Sequence, residues 1–274
     1  MSQAYPVLFI SHGAPTFAIE PGIAGARLTE LGRTLPRPSA IVIVSPHWMT
    51  RGGVRVSSSV TPETIHDFGG FPQALYRLQY PAPGHPQLAE QISHLLASAG
   101  IPASTESNRG LDHGAWVPLL HLLPAADIPV VQVSMPHPLN PLGAWQLGQA
   151  LKPLREQRVL IIGSGSLTHN LYEFRGNDGD PAKYVARFSD WTRDALQAGD
   201  LPALLDYRRN APEAERAHPS EEHLLPLFLA LGAAGEKFDV DVLEGGIAHG
   251  VLAMDSYLFS SPTTPTDIEE TAQV

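Results

Sequence analysis

The chain has 274 residues and not one cysteine. That excludes disulfides, iron–sulfur clusters and thiolate metal sites, so any metal must sit on nitrogen and oxygen donors. It also fits the reducing cytosol. Positive charge is scarce: 18 Lys and Arg stand against 28 Asp and Glu, a formal net charge of −10. Such a surface repels phosphate backbones and anionic lipid, so neither nucleic acid nor a membrane is an expected partner. Long apolar runs are missing as well, with nothing near the roughly 20 residues of a membrane span. The opening MSQAYPVLFISHG lacks the basic and long apolar regions of a signal peptide. A soluble, cytoplasmic protein is expected. No coiled-coil heptads appear, and the expected state is monomer or homodimer.

What is present is a series of short apolar or β-branched runs: PVLFI at 6–10, AIVIVS at 40–45, PVVQVS at 129–134 and RVLIIG at 158–163. Their continuous apolarity is the pattern of strands buried on both faces. Helical patterns lie between them at 25–35, 85–99 and 139–155, and a further one at 182–199 closes on Gly199. Another is expected to open at Pro219 and run through LLPLFLALGAA, with a kink at Pro226. FDVDVL and VLAMDSYLF read as a last strand pair. Strands alternating with helices predict an α/β fold: a single three-layer α/β/α domain over 1–260 with a central, mainly parallel (mixed) sheet. The polar stretch 261–274 reads as a disordered tail.

In open α/β sheets, ligands bind beyond the carboxyl ends of the strands. Three of the twelve histidines fall there: His12 in SHGAP, His47 in SPHW and His169 in GSGSLTHN. Any one alone reads as an ordinary loop histidine. Three at matching positions argue for one shared site. His223 could join them from the expected helix, whereas His85, His94, His121 and His137 have no such placement.

The stretch HPSEEHLLPL at 218–227 looks at first like a zinc-peptidase helix, but those patterns place two histidines four residues apart. His218 and His223 are five apart, which turns them about 140° from each other around a helix. Only one can face a given ion. His218 is then expected near the N-cap, with Glu221 and Glu222 in the first turn, where the helix dipole favours acids, or else touching a ligand histidine. GSGS at 163–166 lacks the third glycine and the lysine of phosphate-binding loops and does not match a nucleophile elbow. It reads as a tight turn beside His169. The segment IHDFGGFPQALY at 65–76 is either a structural loop or a wall of the pocket. His113, in DHGAW, sits in a glycine-flanked turn and is a candidate for binding substrate or supporting a metal.

Taken in order, SHGAP, SPHW, IHDFGGFP, LDHGAW, SGSLTHN and HPSEEHLLPL resemble the bacterial 4,5-DOPA extradiol dioxygenases. These are class III ring-opening enzymes related to the catalytic subunit of protocatechuate 4,5-dioxygenase. The resemblance runs from about residue 6 to 259. It implies one divalent metal per chain on His12, His47 and His223, with His169 as acid–base residue and His113 on the substrate side. The wider class carries a glutamate where this chain has His223. Fe(II) is the metal implied for dioxygenase activity, and three imidazoles also suit Zn(II). The implied reactants are a catechol such as DOPA and O2, giving a ring-opened semialdehyde. A zinc-dependent hydrolase and a non-catalytic metal-binding protein on the same fold remain the alternatives.

Overall fold

The structure, a computed structural model, describes residues 4–175 and 180–262. The expected disordered tail lies outside the described residues from position 263 onward. The first half of the chain runs β1 (Val7–Ser11), α1 (Gly22–Thr34), β2 (Ala40–Thr50), β3 (Val54–Ser57), α2 (Pro86–Ser98) and β4 (Ala103–Glu106). It continues with α3 (His113–Leu122), β5 (Val130–Pro136), α4 (Pro141–Leu151) and β6 (Val159–Gly165). Five helices follow: α5 (Lys183–Ala198), α6 (Leu201–Leu205), α7 (Tyr207–Asn210), α8 (Ala214–Ala217) and α9 (Leu225–Ala234). The chain closes with β7 (Asp239–Leu243), β8 (Ile247–Ala248), β9 (Leu252–Ala253) and β10 (Ser256–Ser260).

Eight strands form one sheet in the order β4-β3-β5-β2-β6-β1-β10-β7. Its centre, β5-β2-β6-β1, is parallel throughout, while β10 pairs antiparallel with β1 and β7. The expected single α/β domain with a mixed, mainly parallel sheet is what the chain forms. Because strand side chains alternate, each central strand feeds two cores. Val7, Phe9, Val42, Val44 and Ile161 pack on one face with Leu88 of α2, Leu147 of α4, Phe188 of α5 and Phe228 of α9. Leu8, Ile10, Ile41, Ile43 and Ile162 pack on the other with Leu28 of α1 and Trp116 of α3. Residues 251–259 form two short strands and not one, and β10 is the part that pairs with β7.

The structure corrects three local expectations. No helix opens at Pro219: α8 ends at Ala217, His218 follows with φ −136° and ψ 85°, and a turn leads to α9 at Leu225. A helix started at 219 would hold Pro226 in its interior, where proline has no N–H to give. Beginning at Leu225 puts Pro226 in the first turn, where none is required; there is no kink to explain. Second, β2 does not stop before His47. It continues to Thr50, with its register to β5 shifting between Val44 and Met49. Third, Gly163, Ser164 and Gly165 are the last residues of β6, not a turn. A Cβ on Gly163 would collide with the Pro226 carbonyl, and one on Gly165 with that of His223. The glycines let the 223–226 segment lie against the strand.

Candidate active site and metal centre

β2, β6 and β1 are neighbours in the sheet, so their parallel carboxyl ends bring His47, His169 and His12 to one place. The His12 backbone N–H donates to the Gly165 carbonyl at 2.9 Å, which carries the β1–β6 pairing one residue past the strand. The His12 ring is buried, with Nδ1 3.0 Å from Ser164 Oγ. That hydroxyl donates its only proton to the Gly114 carbonyl, so it accepts from His12 Nδ1–H. The lone pair of His12 therefore sits on Nε2. Nε2 faces Nε2 of His47 at 3.2 Å. His47 stands in the irregular part of β2, and α3 approaches it closely. A Cβ on Gly114 would strike Ser45 Oγ and come within 3.0 Å of His47 Cδ2, so the glycine before the helix's second turn is sterically required.

His113 is the first residue of α3, whose N-cap is Asp112: its carboxylate accepts from Ala115 N–H. The expected glycine-flanked turn is thus a helix start. Asp67, in the 65–76 segment, accepts from the His113 backbone N–H at 2.9 Å and lies 3.0 Å from His113 Nδ1. It also stands 3.9 Å from His47 Nδ1. Burial pushes the Asp67 carboxyl up, but its contacts with the ring and backbone N–H of His113 outweigh it and hold it at about 2. It is a carboxylate at neutral pH.

His223 sits in the turn before α9, with its carbonyl accepting from Ser166 N–H and its Nδ1 3.2 Å from Glu222 Oε1. His169 donates its backbone N–H to the Ala217 carbonyl and lays its ring flat on that of His223, 3.5 Å away and 7° from parallel. His218 points elsewhere: it is fully buried against Phe188 and Tyr207, with Nε2 on the Leu167 carbonyl. Glu221 meets Arg208 and Tyr207, not the histidines.

Burial lowers the pKa of every one of these rings that shows a shift. His47 falls to about 3, through desolvation first and the charge of His113 second. His12 and His223 fall well below the usual imidazole range, and His169 is lowered too, its burial opposed by Glu222. Neutral imidazoles with inward lone pairs are metal donors. The ligating atoms of His12, His47 and His113 lie within 4.8 Å of one another, as do those of His169, Glu222 and His223. Ring spacing separates two candidate triads. The centroids of His12, His47 and His223 are 5.2, 5.6 and 5.1 Å apart, close to equilateral. Replacing His223 by His113 gives 5.2, 5.7 and 3.9 Å. An ion about 2.0–2.1 Å from each nitrogen in tetrahedral directions sets nitrogens about 3.3 Å and centroids about 5 Å apart. Ring spacing favours the former set, whereas the nitrogens of His12, His47 and His113 are the ones that lie within 4.8 Å of one another.

Beside the histidines lies a cavity of about 480 Å³. His47, His113, His169 and His223 line it together with Phe68 and Phe71 from one segment and Leu171 and Phe174 from another. The 65–76 segment is therefore a wall of the pocket. The sequence matches a known family. The model of the catalytic LigB subunit of aromatic ring-opening dioxygenase covers residues 7–258. The chain belongs to that family. It is an aromatic ring-opening dioxygenase of the extradiol kind by its relatives. A Beta vulgaris protein named 4,5-DOPA dioxygenase extradiol is 41% identical, over 92% of this chain and 96% of its own. An Escherichia coli K12 protein of the same name is 37% identical over 92% and 94%. The crystal structure of an uncharacterized E. coli K12 protein superposes with a TM-score of 0.75 at 30% identity, covering 93% of this chain and 99% of that one.

Sequence reasoning brought forward the four histidines that line the cavity, and His12 beside them, but passed over two supporting groups. Asp67 was visible only as a letter within IHDFGGFP, and Ser164 was weighed solely as a nucleophile. Neither carries a local signal, because each is defined by a partner ring far away in the chain. Glu222, expected at a helix end or against a ligand histidine, lies 3.2 Å from His223 Nδ1.

Proposed function

We propose that this ring-opening dioxygenase acts on a catechol, with the DOPA of its relatives' names as first candidate, and breaks the ring beside the diol to give a semialdehyde holding both oxygens of O2. His12, His47 and His223 are the proposed metal ligands, and the near-equilateral spacing of their rings is the observation that carries the reading. Fe(II) is the proposed ion, since when bound it supplies both a charge that favours the catecholate and a redox-active centre, of which Zn(II) offers only the first.

The chain's own groups do the rest. His169 lines the cavity, and burial keeps its ring neutral at pH 7. It can accept a catechol proton and return it later, a task that suits an imidazole. Its flat stacking on His223 holds the ring in place without using either nitrogen. The Asp67 carboxylate 3.0 Å from Nδ1 of His113 favours a proton on that nitrogen, which leaves Nε2 to accept from a substrate hydroxyl. Neither the hydrolase nor the non-catalytic alternative is favoured by a family of ring-opening enzymes. No described helix is long and apolar enough to cross a membrane, and the cytoplasm is the proposed setting.

Metal analysis of the purified protein, followed by anaerobic loading with Fe(II) and oxygen uptake on catechols, tests this directly. His12→Ala and His223→Ala are expected to lose the metal. His169→Ala should retain it and lose about 10²–10⁴-fold in turnover. An empty site in His169→Ala would remove it from the acid–base role.

A further inference from the structure

We propose that a smaller cavity beside the histidine pocket binds an ammonium group on the substrate's arm, with Glu20 as its charge partner, so that amine-bearing catechols are favoured. The inference rests on the ring-opening reading above and narrows the substrate class of that site. The smaller cavity, of about 220 Å³, is lined by Thr16, Phe17, Glu20 and His249 among others. Three contacts show how thin the partition between the two cavities is. Ala14 lines both. Phe174, a wall of the first, stacks its ring on His249 of the second at 4.5 Å and 26°. Leu252 of the first is the cross-strand partner of Ala248 of the second. With the diol seated among the imidazoles, a short arm that passes Ala14 ends in the smaller cavity.

The chemistry of that cavity suits an ammonium group, which has three N–H to place. It offers the Glu20 carboxylate, the Thr16 hydroxyl and the His249 ring, whose Nδ1 is buried without a hydrogen-bond partner. None of these three side chains forms a hydrogen bond or ion pair with another described residue. Burial, opposed by the charge of Glu20, lowers the His249 pKa, so at pH 7 the ring is neutral and keeps a lone pair. Glu20 is the only Asp, Glu, Lys or Arg in either described lining. The sign of the site is therefore negative, and a cation gains a partner there that an anion does not. Arg175 follows Phe174 in the chain but is in neither lining, and its guanidinium donates to the Asp180 carbonyl at 3.2 Å. Glu20 itself is exposed, so water screens the pairing and its effect is several-fold, not a hundredfold.

Two matched pairs of catechols on the Fe(II)-loaded protein test this. DOPA is set against 3-(3,4-dihydroxyphenyl)propionate, which lacks only the amine. Dopamine is set against 4-(2-hydroxyethyl)catechol, which carries a hydroxyl in its place. The amine member of each pair should have the higher kcat/KM by about three- to tenfold, mainly through KM, because the arm binds alike in ground and transition states. Glu20→Gln should bring both ratios to within about twofold of one, and Glu20→Lys should favour the propionate over DOPA. Equal kcat/KM within each pair, or ratios that Glu20→Gln leaves unchanged, would overturn the inference while leaving the ring-opening reading intact. Failure to open any of the four with iron bound would overturn that reading, and this one with it.

Discussion

His12 and His223 reach the same cavity on different supports. His12 extends a strand buried on both faces, and its backbone continues the β1–β6 ladder. His223 lies in a turn between α8 and α9 with no ladder of its own. What places it is what the turn leans on: the glycine-bared end of β6, the Ser166 N–H, and His218 locked into the core five residues earlier. A strand-end ligand is positioned by regular hydrogen bonding, whereas a turn-borne ligand is positioned by its neighbours. The second should be easier to disturb from a distance.

Acid should break the turn's anchor with the largest effect. Burial holds the His218 pKa at about 3, against about 6.5 in the unfolded chain. Between those values the unfolded state binds the extra proton, so stability is constant above about pH 6.5 and falls as pH drops toward 3. By pH 4 His218 alone accounts for about 3 kcal/mol. Urea titrations of the metal-free protein across pH 4–8 should show this slope, and His218→Asn, which does not titrate, should flatten part of it. An unchanged slope would mean that His218 is not the anchor.

Next in size, Gly165→Ala should push the His223 carbonyl away from β6. Overpacking of this kind costs about 1–3 kcal/mol, and the displaced ring should bind metal at least about tenfold more weakly in a chelator competition. Full retention of affinity would show that the turn tolerates the shift and that the contrast with His12 is overstated.

The last pair of tests compares the partners of the two rings. Ser164→Ala removes the acceptor that fixes the buried His12 tautomer and should weaken metal binding by about 10–100-fold. Glu222→Gln removes a partner that is 32% exposed in its side chain, and a solvent-screened contact of that kind should change affinity by no more than about fivefold. If Glu222→Gln proved the more damaging, the turn-borne ligand would depend on its carboxylate more than on its backing.

Much of this was legible in the chain itself. The runs at 6–10, 40–45, 129–134 and 158–163 each became a central strand, because continuous apolarity has few other folded outcomes. β3 and β4, of four residues each, and the opening of α3 at His113, buried almost all round, were not legible. Four residues carry too little pattern, and a helix without a wet face has no amphipathic period. HPSEEHLLPL misled because it contains good helix-start chemistry at Pro219, while Pro226 sets the real start six residues later at Leu225.

By itself, then, the sequence determined a thiol-free α/β sheet with His12 and His169 just past the strands and His47 near another strand's end, since those follow from residue type and local pattern. Tertiary structure alone decided which nitrogen of His12 carries the proton, how His223 arrives, and which apolar side chains wall the cavity. Each of those depends on atoms brought together from distant parts of the chain: Ser164 against His12, Gly165 against His223, Phe68 facing the site from across α3. Close packing and hydrogen-bond direction set them, and neither is written in any local stretch.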